Sequence, residues 1–226
     1  MTGRNLVLDL FRQGGLYGLT AEKFSRGRSN LDVVRMMLDS GIRIIQYREK
    51  TKKMGEKYAQ CQVLRAMTRA AGAAFIVNDD IDLALLVKAD GVHVGQEDLP
   101  VKAVRALVGE RMAIGLSTHS PDQAQAAVAV GADYIGVGPI FATQTKDDVC
   151  APVGLTYLDY VVRHVALPFV AIGGIKEHNL GQVAAHGARC AAMVTEIVGA
   201  ADIAQKTIRL QALLPSPPSV QNARKI

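Results

Sequence analysis

The 226-residue chain has no tryptophan, and aromatic side chains make up only 5% of it. Alanine, valine, leucine and isoleucine dominate instead, a composition that suits buried parallel strands covered by helices. Cysteine is sparse too. Cys61, Cys150 and Cys190 neither sit close together nor show metal-cluster spacing, and an odd number cannot all pair within one chain, so they read as reduced thiols. No stretch approaches the roughly 20 uninterrupted apolar residues of a membrane span. The first residues lack the basic, apolar and small-residue order of a secretion signal. A cytoplasmic protein with no membrane partner is the expectation. The five histidines form no zinc pattern, and neither a Gly-x-Ser-x-Gly elbow nor a Walker loop occurs, which leaves serine-hydrolase and P-loop chemistry without support. The formal net charge is +5, but the basic residues are dispersed and no aromatic-studded basic stripe accompanies them. Small anionic substrates account for the charge, and no nucleic-acid partner is expected.

What is present is alternation. Apolar runs bounded by turn signals predict eight strands, near residues 15–20, 42–47, 73–77, 90–94, 111–115, 133–137, 168–172 and 189–194. Segments with helical spacing separate them, with predicted apolar faces Val33-Met36-Met37, Tyr58-Val63-Met67, Leu83-Leu86-Val87, Val101-Val104-Leu107 and Ala124-Ala127-Val128. Eight strands alternating with helices favour a closed parallel barrel over an open sheet, because eight is the number that closes with side chains filling the interior. The expected fold is therefore α/β, a single-domain (β/α)8 TIM barrel over residues 14–212. Residues 1–13 read as a helical or frayed arm, with Leu6, Leu10 and Phe11 able to pack on the barrel. Residues 213–226 contain Pro215-Ser216-Pro217-Pro218 and read as a disordered tail. A weak echo supports the repeat: Ala71-Gly72-Ala73, Ala89-Asp90-Gly91, Gly131-Ala132-Asp133 and Gly187-Ala188-Arg189 each end a helix and lead into a strand, with glycine as the left-handed cap.

In such a barrel the chemistry belongs at the C-terminal ends of the strands, and polar residues collect there. Arg48 and Lys50 stand two apart, so in strand geometry both point to one side, where a fork and a point charge jointly hold a phosphate; a surface pair with Glu49 is the plainer reading. Asp79 and Asp98 come from consecutive strands, and their carboxylates are suited to one hard cation, Mg²⁺, that also bridges substrate phosphate oxygens. Helix capping is the competing use of such acids, and Asp80 is the better candidate for it. Asn78 supplies a neutral amide for a phosphate or heterocycle. The long segment Gly138–Pro152 reads as a lid or binding loop in which Thr143, Thr145 and Lys146 meet anionic oxygens, with a solvated turn as the alternative. Gly173-Gly174 after strand seven, with Thr195 after strand eight, fits a barrel phosphate cradle or else a tight turn. His93 reads as a core histidine satisfied by hydrogen bonds.

Taken in order, Gln46-Tyr47-Arg48-Glu49-Lys50, Val77-Asn78-Asp79-Asp80, the run Asp90 to Asp98, Gly138-Pro139-Ile140-Phe141 with Thr143-x-Thr145-Lys146, and Ile172-Gly173-Gly174-Ile175 closely resemble the thiamine phosphate synthase family. The resemblance runs from about residue 15 to 210. It implies a transferase that joins hydroxymethylpyrimidine pyrophosphate to a thiazole phosphate, with release of pyrophosphate through a pyrimidinyl cation. It also implies that Gln46, Arg48, Lys50, Asn78, Ser117 and Lys146 hold the pyrimidine substrate, with Arg48, Lys50, Ser117 and Lys146 as the catalytic set. Thr143, Thr145, Gly174, Val194 and Thr195 then receive the thiazole phosphate, and Asp79 with Asp98 binds Mg²⁺. Two positions depart from the family's habit: Ala142 stands where proline is common, and Thr195 where serine is. A related thiazole tautomerase and a non-catalytic sensor of thiamine precursors stay open as alternatives, and a homo-oligomer is not excluded. Retention of Asn78-Asp79-Asp80, Asp98 and Lys146 favours the synthase.

Overall fold

Parallel strands laid side by side must each be joined by a crossover, and here the crossovers carry the sheet round until it meets itself. In a computed structural model, which describes residues 1–145 and 150–215, eight strands pair in chain order and β1 pairs with β8, so the barrel is closed. The elements of the first half are α1 (Gly3–Gln13), β1 (Gly15–Leu19), α2 (Asn30–Asp39), β2 (Ile44–Tyr47), α3 (Met54–Ala70), β3 (Ala74–Asn78), α4 (Ile81–Leu86), β4 (Gly91–Val94) and α5 (Val101–Val108). The second half adds β5 (Ala113–Thr118), α6 (Pro121–Val130), β6 (Tyr134–Val137), α7 (Gly154–His164), β7 (Phe169–Ile172), α8 (Glu177–Ala185), β8 (Cys190–Ala192), α9 (Val194–Val198) and α10 (Ile203–Ala212). The expected α/β barrel is the observed one. Lys146 and residues 216–226 lie outside the described residues.

Strand alternation divides the core in two. Outward residues such as Ile45, Tyr47, Phe75, Val77, Val92, Ile114 and Ile135 pack under the helices. Inward residues Tyr17, Ile44, Ala74, Ile76, Ala113, Tyr134, Val170 and Cys190 form a second cluster with Val7, Leu10 and Phe11 of α1. Several of these inward residues are the first of their strands, so α1 lies across the N-terminal mouth of the barrel. It begins at Thr2, whose hydroxyl accepts from Asn5 N–H, and ends where Gly14 turns into positive φ. Its Phe11 ring stacks 4.6 Å from that of Tyr134. Burying a side chain of that size stabilises by about 2 kcal/mol.

Two acids tie neighbouring strands at their starts. Asp90 takes the Phe75 N–H on Oδ2 at 2.9 Å and a two-pronged contact from Arg65 of α3 at 2.7 and 3.0 Å. Asp133 repeats the pattern two strands on, accepting from Ile114 N–H and from Arg105 of α5. Arg4 of α1 also reaches Asp133, which fastens the helical arm to the barrel.

The structure corrects several local expectations. β5 runs to Thr118 instead of ending near residue 115, because Ser117 and Thr118 still pair with Gly136 and Val137 of β6. β8 stops at Ala192, and Val194 already belongs to α9. The buried face of α3 is Lys57, Cys61, Leu64 and Thr68, while Tyr58 and Val63 are exposed. Cys61 and Leu64 turn that face to the barrel, and Lys57 joins it because Asp80 takes its ammonium at 2.7 Å. Met36, Leu86, Leu107 and Val128 likewise sit off the buried stripes of their helices. Gly72, Gly131 and Gly187 have the left-handed φ expected of caps, but Gly91 does not; Lys88 takes that conformation ahead of β4.

Asp90→Ala is expected to lower the unfolding free energy by about 3 kcal/mol, because it strands a buried N–H and the Arg65 guanidinium together. Urea denaturation measures this, and Arg65→Met added to Asp90→Ala should restore part of the loss.

Candidate active site

The C-terminal ends of β2, β3 and β4 bring the first group of candidates together. β2 ends at Tyr47, so Arg48 and Lys50 are already outside strand geometry, and the expectation that alternation aims them to one side does not hold. The Arg48 backbone N–H is held by Thr20 Oγ1 at 2.8 Å. Lys50 reaches across to Asp79, Nζ to Oδ2 3.4 Å, while Glu49 accepts from Glu22 N–H. Glu49, Lys50, Lys57, Asn78, Asp79 and Asp80 line a cavity of about 210 Å³.

Asp79 sits at φ 60°, a left-handed conformation that side chains other than Gly, Asn and Asp rarely adopt. Its N–H donates to the His93 carbonyl at 2.9 Å, which ties the end of β3 to β4. Burial lifts its carboxyl above the usual carboxylate range; the adjacent Asp98 pushes it further, and Lys50 opposes both. Asp98, on the exposed loop after β4, accepts from Gly95 N–H on Oδ2 at 2.7 Å. The Asp98 carboxylate is thus near enough to act on that of Asp79. Asp80 stands at the N-cap position of α4, but its side chain makes no cap bond and goes to Lys57 instead.

Gln46 and Ser117 face the barrel interior on β2 and β5. Gln46 is buried and its Nε2 donates to the Tyr17 hydroxyl at 3.0 Å. Ser117 Oγ lies 3.0 Å from His93 Nε2, and Gln96 donates to the Ser117 carbonyl at 2.6 Å. His93 is a buried histidine with its ring nitrogens in hydrogen bonds, as its position suggested.

The remaining candidates gather around β6 to β8. The hydroxyls of Thr143 and Thr145 are 3.1 Å apart. Gly173 and Gly174 both have positive φ, and they are packed against the loop after β6: a Cβ on Gly173 would lie 2.4 Å from Pro139 Cα, and one on Gly174 2.5 Å from the Ala142 carbonyl oxygen. Close backbone approach between loops is thus a reason for this diglycine with or without a ligand. Val194 and Thr195 open α9 half-buried. The Thr195 hydroxyl accepts from Lys176 Nζ at 2.8 Å, and Lys176 also pairs with Glu196.

Two sets thus share one rim, a carboxylate and lysine set on β2 to β4 and a hydroxyl and glycine set on β6 to β8. Sequence reasoning missed Lys176, Gln96, Tyr17 and Tyr134. Parity along the strand marks the tyrosines as inward, but it does not say which inward groups touch.

A family model for thiamine monophosphate synthase matches residues 16–197. A thiamine-phosphate synthase of Pelotomaculum thermopropionicum is 61% identical over 202 residues, 89% of this chain and 93% of that protein. One from Lawsonia intracellularis is 55% identical over 198 residues, 88% of this chain and 90% of its own length. Among solved structures, a thiamine phosphate pyrophosphorylase from Pyrococcus furiosus superposes with a TM-score of 0.82 at 34% identity, covering 90% of this chain and 96% of that one. With a match that spans the barrel and relatives that share half or more of their residues with it, this chain belongs to the thiamine monophosphate synthase family.

Proposed function

We propose that the chain is a thiamine-phosphate synthase, a transferase that joins hydroxymethylpyrimidine pyrophosphate to thiazole phosphate, or its carboxylated form, and releases pyrophosphate. The observation that carries this reading is Lys50 Nζ 3.4 Å from Asp79 Oδ2 in the cavity at the mouth of the barrel, with Asp98 near enough to act on the same carboxyl. A carboxyl lifted in pKa first by burial and then by a neighbouring carboxylate is relieved by a cation. The hard oxygens of the pair fit Mg²⁺, and Asp79 with Asp98 would hold the ion beside the substrate phosphates. Among the described residues no cluster of three or more His, Cys, Asp or Glu side chains is arranged to hold a metal alone, in keeping with a cation shared with substrate. When bound, the ion would neutralise charge on the departing pyrophosphate.

The protein's own groups do the rest by position. Arg48, Lys50 and Lys146 are assigned to the diphosphate, where negative charge grows as the carbon–oxygen bond breaks. Gln46 and Asn78 are assigned to the pyrimidine and Ser117 to the region of the leaving group. Thr143, Thr145, Gly174, Val194 and Thr195 are assigned to the thiazole phosphate, holding the ring nitrogen for attack on the pyrimidinyl cation. No protein nucleophile is needed, so orientation supplies much of the rate. Lys176, already on Thr195, adds positive charge on that side.

Purified protein given both substrates should release pyrophosphate only when Mg²⁺ is present; isomerisation of the thiazole alone, without coupling, overturns the reading in favour of the tautomerase. Asp79→Asn should reduce turnover by about a hundredfold, the upper end of what even outer-shell partners of a metal carry. The same variant should keep or gain stability without Mg²⁺, by up to about 1 kcal/mol, because asparagine tolerates positive φ and removes the repulsion from Asp98. Thermal melting checks this, with Asp79→Val expected to melt lower.

A further inference from the structure

Inside the barrel an unbroken chain of hydrogen bonds, buried up to its last link, runs from Gln46 on β2 to Ser117 on β5. The contacts are Gln46 Nε2 to the Tyr17 hydroxyl, 3.0 Å; Tyr17 to the Tyr134 hydroxyl, 3.0 Å; Tyr134 to His93 Nδ1, 3.1 Å; and His93 Nε2 to Ser117 Oγ, 3.0 Å. Tyr17, Tyr134, Gln46 and His93 are all buried, so groups left without partners here would each cost about 1 to 3 kcal/mol.

One direction gives every hydrogen of the chain an acceptor within it. With the amide nitrogen donating, the Tyr17 hydroxyl accepts from Gln46, and in the arrangement that gives each hydrogen of the chain an acceptor it sends its own hydrogen to Tyr134. Tyr134 passes its hydrogen to His93 Nδ1. That nitrogen accepts only when it carries no hydrogen, which places the imidazole hydrogen on Nε2 and makes it the donor to Ser117. Run in reverse, Tyr134 donates to Tyr17, which then accepts twice and keeps a buried hydroxyl hydrogen that no contact of the chain takes up. Burial lifts both phenols well above their ordinary pKa, so they stay neutral donors. The fold also makes room for the junction: a Cβ at Gly115 would sit 2.2 Å from Tyr134 Cζ and 2.4 Å from His93 Nδ1.

The geometry points to Tyr17, Tyr134 and His93 as positioning residues that deliver a one-way hydrogen-bond relay to Ser117. Because Ser117 accepts from below, its own hydroxyl hydrogen is turned outward as a donor to the substrate oxygen above it. The relay also fixes the Gln46 amide, so that its nitrogen faces the core and its carbonyl oxygen is the atom offered to a heterocycle. Two side chains on strands three apart are thereby set as a pair, one acceptor and one donor, before substrate arrives. This rests on the reading above that both face the pyrimidine diphosphate.

Two measurements on the full chain test it. Long-range ¹H–¹⁵N spectra of the imidazoles should show His93 as the Nε2–H tautomer; an Nδ1–H or doubly protonated ring at neutral pH overturns the relay. In the coupling assay with Mg²⁺, Tyr134→Phe keeps the ring against Phe11 and removes only the hydroxyl. It should lower kcat by about tenfold, the size of one hydrogen bond in the transition state, with KM for thiazole phosphate unchanged. Ser117→Ala should lose at least as much, and the double variant should be no slower than Ser117→Ala, because Tyr134 acts through that hydroxyl. Losses that multiply in the double variant overturn the proposal, as does a Tyr134→Phe enzyme with wild-type kcat. A wild-type chain that joins no substrates sinks the functional reading instead, and the tautomer then decides the relay by itself.

Discussion

Closure of an eight-stranded parallel barrel sends every second side chain of each strand into one interior, and that interior has room for few large groups. In this chain small residues, among them Ala74, Gly115, Gly136 and Ala192, leave the middle to Tyr17, Tyr134 and His93. Below them α1 supplies Val7, Leu10 and Phe11 and seals the N-terminal mouth. Above them the same inward register becomes the polar floor of the site through Gln46, Asn78 and Ser117. Packing and function are successive layers of one alternation.

Charge is handled differently at the two ends. At the strand starts Asp90 and Asp133 are saturated by arginines and backbone N–H groups, and they act as fasteners. At the strand ends Asp79 is crowded by Asp98 in a conformation few side chains tolerate, with a lysine 3.4 Å away. Acids that are fully satisfied stabilise a fold, and acids left in mutual repulsion are ready to take up a cation. The contrast sets the carboxylates at the two ends apart without reference to any relative.

Much of this was legible in the chain itself. The eight apolar runs, the alternating helices and the clustering of polar residues after each run follow from local periodicity, and the family motifs are contiguous. The errors came where local pattern met tertiary contact. Tyr58 stands five residues before Val63 and so off a single helical face, whereas Cys61 and Leu64 are three apart, and packing against the barrel buried that pair. β5 outlasted its apolar run because β6 offered Ser117 and Thr118 partners. Gly91, read as a cap, is a strand residue, and Lys88 bears the left-handed turn.

The sequence by itself determined the number and order of the elements, the family, and which residues stand at strand ends, since these depend on neighbours a few positions away. The tertiary structure alone decided which of those residues touch: Lys50 with Asp79, Asp79 with Asp98, Lys57 with Asp80, Lys176 with Thr195, and Gln46 linked through two tyrosines and a histidine to Ser117. Those partners are far apart along the chain or on different strands. Only barrel closure and stagger set which inward side chains share a level, and no local pattern encodes that level.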